Sequence, residues 1–150
     1  SGPYGRFVLF DTDRNARYLL VATGTGVTPY RAMLPELLRH HRERGIEVVL
    51  LQGARSAVDL LYANEFDAFA DAQPWFRYVP CLSREARATA RGDDRSGYVQ
   101  QAFPEFTPDA ARDIAYLCGN PNMVDASFEA LKAFGLPVPA IRREKYVSSR

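Results

Sequence analysis

Short apolar runs alternate along this chain with stretches of helical periodicity. Tyr18-Leu-Leu-Val-Ala22 reads as a buried strand. Beyond a glycine-containing loop, Tyr30, Met33, Leu34, Leu37 and Leu38 keep the i, i+3, i+4, i+7, i+8 spacing of one helical face. Pro35 inside that face predicts a kink or irregular first turns. Ile46 to Leu51 is a second buried strand. Ser56-Ala-Val-Asp59 has the form of a capping box, and Val58, Leu61, Tyr62, Phe66 and Phe69 follow at helical spacing. Phe76 to Leu82 is a third strand. Its Pro80 predicts an edge position, because a central strand does not tolerate a missing donor. Ile114 to Cys118 is a fourth strand. Asn120-Pro121 then supplies an N-cap and a first-turn proline, Val124, Phe128 and Leu131 face inward, and Gly135 ends the helix. Val138 to Tyr146 is the last strand.

Strand and helix in alternation predict an α/β fold with right-handed crossovers: a doubly wound, five-stranded parallel sheet with helices on both faces. Ligands of such sheets bind at the carboxyl ends of the strands, near the switch in strand order. Two segments fall outside this unit. Ser83 to Gly97 is a polar loop with Arg84, Arg87, Arg91 and Arg95, of a length that is functional or disordered in compact domains. Gly2 to Phe10 reads as a turn plus a strand with no helix joining it to Tyr18. It is either an added edge strand or the last strand of another domain.

Composition narrows the classes. The 150 residues, 47% hydrophobic and 25% charged, are those of one ordinary globular domain. A net charge of +1 gives no bulk attraction to nucleic acid or anionic membranes. The apolar runs are far shorter than the ~20 residues of a membrane span, and the first residues do not resemble a signal peptide. The two cysteines, Cys81 and Cys118, form neither a disulfide framework nor a metal spacing. The expectation is a cytoplasmic protein without a metal.

The chemistry centres on Thr23-Gly24-Thr25-Gly26-Val27-Thr28-Pro29. The GxxxxGK[ST] loop is excluded, since no Lys-Ser or Lys-Thr follows. The dinucleotide fingerprint GxGxxG matches at Gly24 and Gly26, with Pro29 in place of the third glycine. Thr28 is then the expected cap and Pro29 the first helical residue, leaving the free amides of the first turn to an anion. A flavin mononucleotide loop of T-x-T-G-x-T type also matches, and so does a tight turn that holds nothing. The loop alone leaves these three open.

LVATGTGVTPYRAML, QGARSAVDLLYANEF, CLSRE, YLCGNPNMV and REKY occur in the order seen in one family. The chain, from about Gly2 to Val147, resembles the NAD(P)-binding domain of the ferredoxin–NADP reductase superfamily. The resemblance implies a Rossmann-like sheet of order 3-2-1-4-5. It also implies hydride exchange between NADP(H) and a flavin, and electron transfer to ferredoxin, flavodoxin or a similar acceptor. Flavodoxins have no counterpart of Leu117-Cys118-Gly119-Asn120-Pro121, which removes the flavin mononucleotide reading. Residues 1–12 then correspond to the last strand of a FAD-binding barrel otherwise absent from the chain, 17–147 to the NAD(P) domain and 148–150 to a tail. FAD belongs to the full-length protein, and the chain alone is expected to be an inactive fragment.

The resemblance assigns Gly24, Thr25, Gly26, Val27, Thr28 and Pro29 to the pyrophosphate. Cys118 falls beside the nicotinamide, followed by Gly119, Asn120, Pro121 and Met123; the alternative for Cys118 is a small buried residue. Glu144 matches the family's carboxylate for nicotinamide positioning or proton handling, and Tyr146 its flavin-covering aromatic. Ser83 and Arg84 are expected to bind the 2′-phosphate of NADP, although Glu85 is what an NAD site would carry. Tyr98 is the candidate for stacking on adenine, and Arg55 for bordering the adenosine. Arg87, Arg91 and Arg95 are either further phosphate ligands or solvated surface. Two alternatives stand beside the NADP reading: an NADH-dependent reductase component of an oxygenase, and a non-catalytic nucleotide-sensing domain. With the family's strand order, Cys81 and Cys118 would lie three strand spacings apart, roughly 14 Å, beyond disulfide reach.

Overall fold

The computed structural model describes residues 7–146. The turn expected within residues 1–6 and the tail 148–150 lie outside the described residues. Strands β1 (Arg17–Thr23), β2 (Glu47–Ala54), β3 (Phe76–Leu82), β4 (Arg95–Ser96), β5 (Asp113–Gly119) and β6 (Ile141–Lys145) form one parallel sheet. Their order is β4-β3-β2-β1-β5-β6. The sheet therefore has six strands, not the expected five. The five anticipated ones keep their relative order, and the addition is a two-residue strand inside the polar loop. It pairs only with Cys81 and Leu82, and two residues carry no periodicity from which to read a strand. Since that pairing stops at Cys81, the outer side of β3 is open at Pro80, where a missing donor costs nothing.

Alternation along the strands makes two cores. Leu19, Val21, Val49, Leu51, Ala115 and Leu117 face α3 (Phe103–Phe106) and α4 (Pro121–Ala133). Tyr18, Leu20, Ala22, Leu50, Tyr116 and Cys118 face α1 (Thr28–Arg44) and α2 (Ala63–Ala72). Burial on both faces explains why the strands read as unbroken apolar runs.

Four further expectations are corrected. The Ser56 capping box does not form: Ala57–Asp59 make one 3-10 turn without a side-chain cap, and α2 begins only at Ala63. Leu60 is extended, and the Leu61 carbonyl is held by the Gln52 side-chain amide at 3.0 Å, so no helix runs through. Val58, expected to face inward, is 87% exposed. The last strand starts at Ile141 rather than Val138, because Pro137 and Pro139 frame a 3-10 turn over Val138–Ala140. Residues 7–10 alternate between half-buried and exposed and pair with no strand among the described residues, so of the two readings of this segment the added edge strand of this sheet is the one excluded. Phe7 instead packs on the rings of Tyr30 and Tyr116. Helix α1 is continuous through Pro35.

Candidate functional site

The carboxyl ends of β1 and β5 meet at the glycine loop. Gly24–Val27 form a single 3-10 turn that runs straight into α1. The expected Thr28 cap is absent: Val27 is the N-cap, no side chain caps the helix, and Thr28 is already helical. The preceding turn takes over that role, with the Thr28 N–H donating to the Thr25 carbonyl. Pro29 remains in the first turn of α1.

The glycines differ in purpose. Gly24 has φ +55°, and the space a Cβ would enter is open. Gly26 rests against β5, where a Cβ would collide with the Cys118 carbonyl. Gly119, at φ +140°, faces Thr23 in return, and its Cβ would lie 2.6 Å from the Thr23 carbonyl oxygen and hydroxyl. The Asn120 N–H donates to that hydroxyl at 3.0 Å. The two strand ends are thus interlocked beneath the turn. The amides opening it have no helical acceptor, and neither the turn nor the first turn of α1 contains an acid. A positive helix end with no carboxylate beside it is an environment that can accept an anion, an anion cradle in outline.

Beside it, the Asn120 side chain caps α4 by accepting from the N–H groups of Asn122 (2.8 Å) and Met123 (3.3 Å). Pro121 is the first helical residue. The Met123 side chain enters the α4 core and accepts a bond from the Ser127 hydroxyl, so only its backbone faces the site's edge. Cys118 is fully buried on the α1 face. Burial pushes its thiol up to about 12 despite a hydrogen bond from Tyr146. Glu144 is opposite Cys118 in the β5–β6 register, and the Tyr146 N–H donates to the Gly119 carbonyl at 2.7 Å. The fold thus brings Cys118, Glu144 and Tyr146 together. Cys81 lies on the other face, three strands away, and both thiols are free.

The other flank is built from the ends of β2 and β3. The Ser83 N–H donates to the Ala54 carbonyl, and those of Arg84 and Glu85 to the Arg55 carbonyl, at 3.0 to 3.1 Å. The side chains of Arg55 and Arg84 are exposed and have no hydrogen bond or ion pair among the described residues. The other loop arginines are engaged. Arg87 holds Asp67 at 2.7 Å and Asp94 at 2.6 Å, Arg91 holds Asp67 and Asp71, and Arg95 holds Glu105 at 2.7 Å. That removes them as phosphate ligands and makes them the loop's anchors. Tyr98 is 61% exposed, and its N–H is tied to the Gln101 side chain at 2.6 Å.

Gln52 escaped the sequence reading. It is fully buried, receives the Tyr78 hydroxyl and holds the Leu61 carbonyl, so it shapes the 55–62 loop. A glutamine within an apolar strand was its signal. A groove of about 400 Å³ near the start of β3 lies away from the strand carboxyl ends, and its Arg77 and Arg91 are paired with Asp93 and Asp71. Among the described residues no helix is long and apolar enough to cross a membrane, and no His, Cys, Asp and Glu cluster could hold a metal.

Comparison with known proteins adds an independent line. The family model "Oxidoreductase NAD-binding domain" matches residues 20–128. The reductase subunit of an aromatic O-demethylase from Amycolatopsis sp. is 36% identical over 148 residues, 97% of this chain and 42% of that protein. A ferredoxin–NADP reductase B of Sorangium cellulosum is 36% identical over 97% of this chain and 60% of that protein. Among solved structures, the Amycolatopsis cytochrome P450 reductase superposes with a TM-score of 0.82 at 34% identity, over 99% of this chain and 44% of its own. The chain thus spans less than two thirds of each of these relatives.

Proposed function

This chain belongs to the oxidoreductase NAD-binding domain family, and we propose that it is the nucleotide-holding half of a flavin-dependent electron-transfer reductase. The single observation that carries this is the interlock of the glycine turn with the Cys118 end of β5. It brings the glycine turn close to buried Cys118 and half-buried Glu144 and Tyr146 at the carboxyl end of the sheet. A bound dinucleotide would supply a hydride at its nicotinamide, and FAD held outside the described sheet would accept it and pass electrons to ferredoxin, flavodoxin or an oxygenase-type partner.

This chain's own residues then have separable tasks. The Gly24–Val27 turn holds the pyrophosphate, and Thr28 and Pro29 orient the helix end behind it. Arg55, Arg84 and the Ser83 hydroxyl take the 2′-phosphate, which favours NADP(H), and Tyr98 covers the adenine. Cys118, a neutral thiol at ordinary pH, is a shaped wall for the nicotinamide and no nucleophile. Glu144 sets the ring's orientation, while Tyr146 shields Cys118 until the flavin replaces it there. The isolated chain binds dinucleotide without oxidising it.

A second reading, an NADH-dependent reductase component of an oxygenase, is favoured by Glu85 beside Arg84 and by the O-demethylase relative. Calorimetric titration with NADP⁺, NAD⁺ and flavin mononucleotide separates the readings. The expected result is NADP⁺ binding tighter than NAD⁺, with no flavin signal. Equal binding of both dinucleotides supports the second reading, and flavin binding alone overturns both.

A further inference from the structure

Strand β6 carries Glu144 and leads into Tyr146, yet it is the outermost strand on its side and its ladder runs only to β5. Its even-numbered residues share the face of Cys118. Arg142 is opposite Tyr116 and Glu144 opposite Cys118, whereas Arg143 covers Phe128 and Lys145 pairs with Asp125 on the α4 side. On the Cys118 face Arg142 reaches out of the sheet to the segment before β1. Its two terminal nitrogens donate to Asp13, Nη2 to Oδ1 at 2.7 Å and Nη1 to Oδ2 at 3.1 Å. Asp13 is 6% exposed and also receives the Tyr18 hydroxyl at 2.7 Å. Arg142 donates to the Tyr116 hydroxyl, which itself donates to the Val8 carbonyl at 2.7 Å. The guanidinium lies 4.4 Å over the Phe10 ring.

We propose that Asp13 is a positioning residue: through Arg142 it anchors β6 to the 7–13 segment and so holds Glu144 and Tyr146 against Cys118. The functional half of this rests on the nucleotide reading above. An edge strand with one ladder has half the lateral restraint of an inner one, and the orientation of reacting groups is sensitive to displacements near 1 Å. A two-point contact of a half-buried guanidinium with a buried carboxylate fixes distance and angle together. Segment 7–13 is joined to the sheet at Tyr18, Tyr116 and Arg142, so a shift of that segment reaches Glu144 through one strand.

Two native thiols report on this. Cys118 lies under Tyr146, and Cys81 is buried on the opposite face, three strands away. Burial raises both to about 12, so each stays a thiol at neutral pH and reports chiefly on access. Alkylation of each thiol by iodoacetamide, followed by mass spectrometry, is compared between the wild-type chain and Asp13→Asn. The expected result is a rise of tenfold or more at Cys118 with Cys81 unchanged. No change at Cys118, or an equal rise at both thiols from global opening, overturns the proposal. Should Asp13→Asn fail to fold, Arg142→Lys, which keeps the charge but loses the fork, is judged by the same criterion. NADP⁺ titration of the wild type runs alongside. Absence of binding there removes the nucleotide reading and leaves the anchoring result to stand or fall on the thiols.

Discussion

Glu144 stands directly opposite Cys118 in the parallel ladder between β5 and β6. The pairing puts a carboxylate and a buried thiol on the same face of adjacent strands, at the sheet edge where ligands of this fold class bind. Neither side chain is part of the anion cradle, which the Gly24–Val27 turn forms; Cys118 supports that turn only through its backbone, under Gly26. Binding and chemistry should therefore separate. Glu144→Gln and Cys118→Ala are expected to leave dinucleotide affinity within a few-fold by calorimetry. Joined to its flavin partner, each variant should slow flavin reduction roughly 10- to 100-fold in stopped flow. An equal loss of affinity would place these residues in ground-state binding instead.

The three glycines of the site should rank by what their Cβ would meet. Gly26→Ala and Gly119→Ala drive a methyl into backbone of the neighbouring strand. Each should cost about 1–3 kcal/mol or more, lowering the midpoint of urea unfolding. Gly24→Ala meets open space and bears only the left-handed backbone cost of about 1–2 kcal/mol. Its larger effect should be on dinucleotide affinity, because the methyl projects into the space a pyrophosphate would use.

The arginines of the 83–97 loop divide into two kinds, and mutants should divide with them. The Arg84 side chain has no partner among the described residues. Arg84→Ala should leave unfolding unchanged while reducing the preference for NADP⁺ over NAD⁺ roughly tenfold or more, the loss of a charge-assisted contact to the 2′-phosphate. Arg87→Ala should do the reverse. It frees Asp67 and Asp94 from a half-buried guanidinium, so thermal stability falls while the ratio of the two affinities stays. If Arg87→Ala alone moved the ratio, the phosphate site would lie deeper in the loop.

The main architecture was legible because its signals are local and repeated. Apolar runs of strand length, the helical face from Tyr30 to Leu38 and the Asn120-Pro121 start are each set by residues a few positions apart, and all were recovered. The failures came where distant contacts decide. Ser56 and Asp59 have the chemistry of a capping box, but the Gln52 side chain takes the Leu61 carbonyl and interrupts the helix. β4 lies in a loop whose Arg87 and Arg91 reach Asp67 and Asp71 in α2 and whose Arg95 reaches Glu105, and no pattern within Ser83–Gly97 encodes those partners. In the candidate site, Cys118, Glu144 and Tyr146 were reachable through family resemblance. Their common face follows only from the β5–β6 register, which the sequence does not display. His40, absent from the predicted apolar face, is a buried residue of α1.

That histidine sets the last prediction. His40 packs edge-on to Tyr18 and lies 3.4 Å from both Arg39 and Arg44. Burial, then the two guanidiniums, hold its pKa below the ordinary 6.5, and the nearby Asp11 and Glu36 only partly offset them. Below about pH 6.5 the unfolded chain takes up a proton that the folded chain still resists, so the unfolded state binds more protons and stability rises with pH across that window. His40 therefore contributes fully above its unfolded value, and the contribution is lost as the pH falls toward its depressed folded value. The slope from this one group is at most about 1.4 kcal/mol per pH unit. The carboxylates with lowered values, Asp11, Asp13, Glu36, Asp93 and Glu105, act only further down, near and below their ordinary range. Urea unfolding from pH 7.5 to 5 should thus show wild-type stability declining below about 6.5, with His40→Gln less stable at pH 7.5 but flatter below it. An unchanged slope in the variant would assign the acid limb to other groups.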